Sequence, residues 1–446
     1  MARLFGTDGV RGIANRDLTC DLAFRIARTA STLLCGENKH GRILIGRDPR
    51  RSGSMLEAAM TAGFCESGIS VVLAGVIPTP GVAYLTQHMG MDAGVMISAS
   101  HNSAEYNGVK LFSASGRKLP DATEDAIAAR LSAQPERVEA AAIGRVTQLE
   151  NAASVYTAHL LSTVEEKMKS MRIVLDCANG AASHIAHMLF RSLGMEVEVI
   201  SAEPDGDNIN RACGSTNVRA LQEAVVAMGA NCGFAFDGDA DRLIAVDEKG
   251  SMVDGDAIIY LCALHMHRQG RLANNAIAGT VMSNMGLELS LQRSGISVIR
   301  ANVGDRYVME AIEQHRLSLG GEPSGHIVFA DDATTGDGLL TAIKLLTVLS
   351  SSGQPLSQLA GSMLRTPQYQ CSAAVVQALH EEVMKNRQVQ ETIRQLERSY
   401  HGKGRLLVRP SGTEPAIRIM TEHTDAETAQ ADAMALKQMI EHAAKE

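Results

Sequence analysis

The sequence has no tryptophan, and aromatic residues make up only 3% of it. Stacking platforms for bases or sugar rings are therefore scarce, which argues against a single-stranded nucleic-acid binder. It also lacks any run approaching the roughly 20 apolar residues that span a bilayer. The opening MARLFGTDGVRG offers neither an apolar signal core nor an Arg- and Ser-rich amphipathic leader, so a cytoplasmic location is expected. Paired cysteines are missing as well. Cys20, Cys35, Cys65, Cys177, Cys213, Cys232, Cys262 and Cys371 are scattered, with no C-x-x-C and no metal-like spacing to histidine, and they read as reduced small hydrophobes. Basic excess is lacking too. Lys and Arg number 42 against 50 Asp and Glu, a formal net charge of -8 that argues against backbone recognition of nucleic acid. A few arginines converging in one cleft could still bind a phosphorylated small molecule.

What is present is the composition of a soluble globular protein, 45% hydrophobic and 21% charged, in a chain of 446 residues that is too long for one core. Strand-like and helix-like segments alternate from the start: an amphipathic run at Leu22 to Leu34, a strand at Ile43 to Ile45, a helix at Met55 to Phe64, and strands from Val71, in AGVMISAS and in GVKLF. This alternation predicts an α/β layer fold. Nothing from Ala133 to Leu149 reads as a strand, and a boundary is placed there. The pattern restarts with strands at Arg172 to Asp176, Glu196 to Ile200 and in CGFAFD, then again with strands at Ala276 to Met282 and Ser297 to Ala301 and a helix at Val308 to His315. The last 80 or so residues differ, with one long helix over Val375 to Leu396, strands in RLLVRP and AIRIM, and a closing helix from Ala426. The expected organisation is three α/β domains, 1–150, 151–252 and 253–366, and a smaller α+β domain, 367–446.

Four segments carry chemistry. In FAFDGDADRLIAVD, Asp237, Asp239 and Asp241 alternate directly after an apolar strand, and an extended chain would put all three carboxylates on one side, ready for Mg²⁺ or a similar hard cation. An EF-hand starts with this spacing, and Glu248 falls at its twelfth position, but Arg242 occupies the sixth, where the EF-hand turn needs glycine. A solvated acidic turn is the bland alternative. In VMISASHNSAEYNGVKLF, a strand runs into a polar loop holding Ser98, Ser100, His101, Asn102 and Lys110. The serine either bonds its own loop or carries a phosphoryl group, with His101 and Lys110 near enough in sequence to manage protons. No G-x-S-x-G elbow surrounds it, so a hydrolase of the α/β type gains no support.

In RPSGTEPAIRIM, Arg409, Ser411, Gly412, Thr413 and Arg418 combine the small residues, hydroxyls and guanidinium forks that phosphate binding requires, though a plain Ser-Gly turn would look the same. GGEPSGHI offers Glu322, Ser324 and His326 for sugar hydroxyls. The arginines of GRDPRRSG (Arg47, Arg50 and Arg51) read as solvated side chains beside a turn.

Taken in order, FGTDGVRG, SASHN, DGDADR, GEPSGH and RPSGTEP resemble the motifs of the α-D-phosphohexomutase superfamily from residue 5 to residue 415, and PDGDNINRACGST with VGDRYV resembles its bacterial amino-sugar members. The resemblance implies four domains around a central cleft, Mg²⁺, and a serine phosphorylated in the active enzyme. By matching positions, Ser100 would be the phosphoserine, and Asp237, Asp239 and Asp241 would hold the metal together with a phosphoserine oxygen. Arg11, His101, Lys110 and Arg242 would surround the transferring group, with Lys110 as general acid or base. Glu322 and Ser324 would bind sugar hydroxyls, and Arg409, Ser411, Gly412, Thr413 and Arg418 the phosphate that does not react. The implied reaction interconverts glucosamine 6-phosphate and glucosamine 1-phosphate through a bound glucosamine 1,6-bisphosphate, upstream of UDP-N-acetylglucosamine and cell-wall precursors.

The implied partner is a small phosphosugar, with no nucleic acid and no membrane, and a homodimer stays open. Ser103, Asn217 and Pro323 stand where relatives commonly have Pro, His and Gln. The same chemistry on glucose or mannose phosphate, a non-catalytic phosphosugar binder and a metal-dependent phosphatase are the competing readings. Ser98 and Ser103 are expected to be dispensable neighbours of Ser100.

Overall fold

The computed structural model describes residues 3–6, 8–36, 41–133, 138–164, 167–411 and 415–445. They form two compact units, Met1–Thr280 with Val298–Ser362, and Val281–Ser297 with Met363–Glu446. The first unit is built on three sheets with helices packed against each of them.

Its six-stranded sheet runs in the order Val10–Ile13, Tyr106–Ser113, Ala93–Ile97, Arg42–Arg47, Ser70–Val76, Val146–Gln148. Arg42–Arg47 is parallel to both neighbours, and Ile43, Leu44 and Ile45 are fully buried. That is why this strand reads as an unbroken apolar run rather than an alternation. Helices Cys20–Cys35 and Gly53–Glu66 lie together beside it; Thr19 caps the first by accepting from Leu22 N–H at 3.2 Å. They approach so closely that a Cβ on Gly63 would stand 2.5 Å from Phe24 O.

A five-stranded sheet, ordered Met252–Val253, Leu243–Asp247, Cys232–Phe236, Arg172–Asp176, Glu196–Ile200, follows. Cys232–Phe236 and Leu243–Asp247 form an antiparallel hairpin closed by the pair Phe236 and Leu243, and the acidic segment 237–242 is its loop. The third sheet runs Ser297–Ala301, Ala276–Thr280, Leu319–Gly321, Ile327–Phe329. The second unit carries an antiparallel sheet, Gln368–Ala374, Ala416–His423, Gly404–Pro410, packed against the helix Ala426–Ala443.

Two local expectations fail. Val146–Gln148 is a strand, parallel to Ser70–Val76 at the sheet edge, although nothing in this stretch read as one. All three residues are exposed, so no alternation marks them, and backbone bonds such as Val71 N–H to Arg145 O at 2.7 Å draw the segment in. The long helix expected over Val375 to Leu396 is broken into His380–Lys385 and Arg387–Ser399. Asn386 leaves helical geometry and caps the second piece by accepting from Gln388 and Val389 N–H.

Candidate active site

The acidic loop is not extended. Ala240 N–H returns to Asp237 O at 3.0 Å with Ala240 left-handed (φ 55°), and this turn, not strand alternation, gathers the three carboxylates. One oxygen of each of Asp237, Asp239 and Asp241 lies within 4.8 Å of the others, and all three residues are buried. Asp239 Oδ1 and Asp241 Oδ1 have no hydrogen-bond partner among the described residues. Buried orphan carboxylate oxygens are costly alone, and three hard donors converging this closely fit a divalent cation such as Mg²⁺. Burial first, then the repulsion of Asp241 and Asp239, pushes the Asp237 carboxyl well above its usual range. Glu248 lies elsewhere, accepting from Ser357 N–H at 3.1 Å at the start of helix Leu356–Ala360, so the EF-hand option falls away.

Ser100 meets this loop directly. Its Oγ donates to Asp237 Oδ2 at 2.6 Å, and its backbone is left-handed (φ 51°), a conformation that a serine adopts only when its surroundings fix it. What fixes it is Arg50, which is 1% exposed. Its guanidinium donates to the carbonyls of Ser100 at 2.9 Å, Asn102 at 2.8 Å and Tyr106 at 3.1 Å, and to that of Ser103, while Nε pairs with Asp48 at 2.9 Å. Arg50 is therefore not the solvated side chain expected from GRDPRRSG, whereas Arg51 is exposed and paired with Asp207. Asn210, from the PDGDNINRACGST segment, donates to the same Ser100 and Asn102 carbonyls at 2.8 and 2.9 Å.

Ser98 is buried and bonded into the Ser100 loop. Its hydroxyl accepts from Ser100 N–H at 2.9 Å and donates to Asp48 at 2.6 Å. Ser103 is exposed.

Lys110, 1% exposed, donates to Asp239 at 2.8 Å and Asp241 at 3.3 Å and lies 3.1 Å from Asp8. Burial alone would lower its pKa, but Asp239, Asp8 and Asp241 outweigh that and hold the ammonium well above its ordinary value. Asp8 also pairs with Arg11 and Lys118, and Lys118 with Asp305 of VGDRYV. Arg11 Nη1 donates to Asn102 at 3.2 Å, and the buried Nε atoms of Arg11 and Arg242 have no hydrogen-bond partner among the described residues, Arg242 Nε lying 3.8 Å from Asp241 Oδ1. His101 Nδ1 stands 3.4 Å from Ser100 Oγ; burial first, then Arg242 and Arg11, pushes its pKa down to about 4, so it is neutral at physiological pH. Cationic donors thus flank a hydroxyl beside a carboxylate cage, an arrangement suited to a phosphoryl group.

The sugar-loop candidates Glu322 and Ser324 belong to the same unit. Glu322 accepts from Gly304 N–H at 2.8 Å and from Ser324 Oγ at 3.2 Å. His326 places Nδ1 3.7 Å from Asp241 Oδ2 while Nε2 accepts from Gly336 N–H at 3.1 Å, which puts the ring proton on Nδ1, toward the carboxylate. Two helices start against these loops. Gly255, opening Gly255–Arg268, donates to Pro323 O at 3.1 Å. Gly338, opening Gly338–Ser352, donates to Ala240 O at 2.9 Å, and a Cβ there would stand 2.4 Å from Arg242 O, so only glycine fits.

In the second unit, Arg409 and Arg418 sit opposite each other across the strands Gly404–Pro410 and Ala416–His423 and line a cavity of about 210 Å³ with Gln370 and Ser372. Burial and then Arg418 lower the pKa of Arg409. Like charges facing each other across a sheet are unfavourable, and a bound anion would relieve the pair. Ser411 is buried, and its N–H donates to Ala416 O at 2.8 Å. Gly412 and Thr413 lie outside the described residues.

Sequence reading had passed over Asp8, Arg50, Asn210, Lys118 and Asp305 as site residues. The only signal was that Asp8, Asn210 and Asp305 lie inside motifs used for the resemblance.

The chain matches the four segments that describe the phosphoglucomutase/phosphomannomutase family: alpha/beta/alpha domain I over residues 2–138, domain II over 154–250, domain III over 254–366 and the C-terminal domain over 374–438. It is 49% identical over 443 residues to a phosphoglucosamine mutase of Thermoanaerobacter sp. (strain X514), covering 99% of each chain. Its fold is similar to a phosphoglucomutase/phosphomannomutase family protein of Burkholderia thailandensis, with TM-score 0.84 at 22% identity over 99% of this chain and 98% of that one. It is also similar to Aspergillus fumigatus N-acetylphosphoglucosamine mutase in complex with GlcNAc-6P and magnesium, with TM-score 0.72 at 17% identity over 100% and 96%. With four domains matched in order and near-half identity along its whole length, the chain belongs to the phosphoglucomutase/phosphomannomutase family, alongside its phosphoglucosamine mutase relatives.

Proposed function

We propose that the chain is a phosphoglucosamine mutase, an isomerase that interconverts glucosamine 6-phosphate and glucosamine 1-phosphate by two phosphoryl transfers through Ser100. The observation that carries this is the Ser100 hydroxyl seated 2.6 Å from Asp237 in a three-carboxylate cage that Lys110 also enters. Full-length likeness to phosphoglucosamine mutases favours the amino sugar over glucose or mannose. Bound Mg²⁺, held by Asp237, Asp239, Asp241 and a Ser100 phosphoryl oxygen, would neutralise charge on the transferring group.

In the first half-reaction the phosphorus–Oγ bond of phosphorylated Ser100 breaks as a bond forms to the sugar 1-oxygen, and the Lys110 ammonium gives a proton to the departing Ser100 Oγ while it takes up the proton of the sugar hydroxyl. The bisphosphate turns end for end, its 6-phosphoryl returns to Ser100 Oγ, and Lys110 takes up the serine proton while it gives one to the departing sugar oxygen. The ammonium form that the surrounding carboxylates favour is the form needed to give the proton in each step. Arg11 and Arg242 would donate to the phosphoryl oxygens, and His101, held neutral, would add a donor without charge. Glu322 and Ser324 bind sugar hydroxyls, and Arg409, Ser411, Gly412, Thr413 and Arg418 hold the distal phosphate. Domains 1–150, 151–252, 253–366 and 367–446 each supply one of these loops, and the cytoplasm is the assigned location.

The test is the intact mass of the purified protein with Ser100→Ala beside it. Wild type should carry one phosphate group on Ser100. Ser100→Ala should lose turnover by about a thousandfold or more while sugar phosphates still bind within a few-fold. Ser103→Ala should stay phosphorylated and active. Near-normal turnover in Ser100→Ala would refute the assignment, and assays on glucosamine, glucose and mannose phosphates side by side decide the sugar.

A further inference from the structure

Away from the reaction site, the first unit holds a cavity of about 330 Å³, at the small end of the roughly 300–1,000 Å³ typical of ligand pockets. None of its lining residues belongs to the loops described above. Lys167, Lys169, Arg271 and Lys344 face it, against two carboxylates, Asp331 and Asp332. Its apolar wall includes Met168 and Phe329, buried to 6% and 3% exposure, and Thr163, Thr347, Ser350 and Ser351 are among its other lining residues.

The cationic side is built. Lys344 Nζ lies 2.8 Å from Asp332 and 3.3 Å from Thr163 O, with the Phe329 ring centroid 6.0 Å away. Lys169 N–H donates to Ser350 Oγ at 2.8 Å, which fastens its segment to the cavity rim. Excess positive charge, hydroxyl-bearing residues and one apolar wall in a small open pocket match a phosphomonoester of a polyhydroxylated body, its charged end toward the exposed lysines.

The cavity is lined by the C-terminal halves of two packed helices, Gly255–Arg268 through Cys262 and His265, and Gly338–Ser352 through Val348 and Ser351. Their first residues are the glycines bonded to Pro323 O and Ala240 O in the sugar and metal loops. The weak negative field of two helix C-termini, about half a charge each, is smaller than the lysine and arginine charge opposing it.

We propose that this cavity is a second ligand site for a sugar or nucleoside monophosphate, and that its occupancy shifts the two helices and thereby the affinity of the reaction site. Binding at the cavity stands apart from the reaction assigned to the chain; only the effect on KM rests on that reading. The experiment titrates uridine 5′-monophosphate, adenosine 5′-monophosphate and ribose 5-phosphate calorimetrically into the full-length wild type and into Lys167→Glu/Lys169→Glu. Both lysines are exposed, so the variant should fold and keep its basal turnover.

At least one probe should bind wild type and bind the variant about tenfold more weakly or not at all. The same probe should change KM for the sugar phosphate about twofold or more in wild type alone, as reciprocal coupling demands. No binding by any of the three, or equal binding to both proteins, overturns the proposal. A KM increase of the same size in wild type and variant is competition at the reaction site and overturns it too. Binding lost in the variant with KM unchanged in both supports the site and overturns the coupling.

Discussion

Asp239 is shared between the three-carboxylate cluster and the Lys110 ammonium. Its Oδ2 takes the Lys110 ammonium at 2.8 Å and the Thr79 hydroxyl, while its buried Oδ1 has no hydrogen-bond partner among the described residues. Asp239→Asn keeps the shape and removes the charge. Turnover should fall roughly a hundredfold or more with KM changed only a few-fold, because the lost electrostatics act on the transition state. Mn²⁺ affinity, measured by calorimetry, should drop in parallel, and an unchanged affinity would remove Asp239 from the metal set.

Residues of this kind were legible because their chemistry is local. Three carboxylates after an apolar strand and a serine in a polar loop announce themselves in sequence. Arg50 did not. Three arginines stand within GRDPRRSG, and only tertiary contact with the carbonyls of the Ser100 loop separates the buried one from its exposed neighbour. Asp8 was hidden for the same reason, since the lysines that define it are remote in sequence.

At the scale of elements, the helix Gly338–Ser352 ties the metal loop to a titrating cap. Asp337 accepts from Leu340 N–H at 2.9 Å and from Tyr156 Oη at 2.6 Å, and burial pushes its carboxyl from 3.8 up to about 6. A carboxyl that titrates higher in the folded than in the unfolded chain leaves the folded chain with more protons between about pH 4 and 6, so its contribution to stability declines as pH rises through that window. Asp337→Asn can still cap the helix and cannot ionise. Its thermal midpoint, compared with wild type from pH 4 to pH 7, should therefore gain on wild type as pH rises, by up to about 2–3 kcal/mol in stability. A constant offset across that range would show that Asp337 does not titrate there.

Many elements were legible from apolar runs, including Ala93–Ile97 and Cys232–Phe236, which lead into the Ser100 and acidic loops, whereas the short strands Leu319–Gly321 and Ile327–Phe329 around the sugar loop were not expected. The failures were the exposed edge strand Val146–Gln148, which has no pattern because neither face is buried, and the helix break at Asn386, where one cap overrides continuous helical periodicity. The three carboxylates of the acidic loop do converge, but a turn at Ala240 gathers them where an extended chain had been expected to.

At the scale of the whole molecule, the second unit is assembled from two stretches of chain. Arg405 joins them: it pairs with Glu422, which is fully buried, at 2.6 Å and donates to Val281 O at 2.8 Å and to Ser283 O. Met285 N–H reaches Glu422 at 2.6 Å, and Asn284 exchanges bonds with the backbone of Thr366. Arg405→Met leaves Glu422 without its guanidinium and should cost about 2–3 kcal/mol, because the surviving charge has lost its strongest partner. Limited proteolysis should then cut within 363–446 first, while Mn²⁺ binding by the three aspartates stays within about twofold of wild type. Equal resistance of the variant and wild type would mean that this ion pair does not hold the unit together.

The discontinuity also bears on how the chain is made. Residues 281–297 leave the ribosome some 65 positions before the first of their partners, at Met363. At roughly 5–20 residues per second this is a wait of several seconds. Leu287 and Leu291, both fully buried in the finished molecule, must pass that interval without their permanent cover. Slowing translation between these two stretches would lengthen the exposure, so the yield of correctly folded protein should respond to synonymous codon choice in that span, with no change in any amino acid.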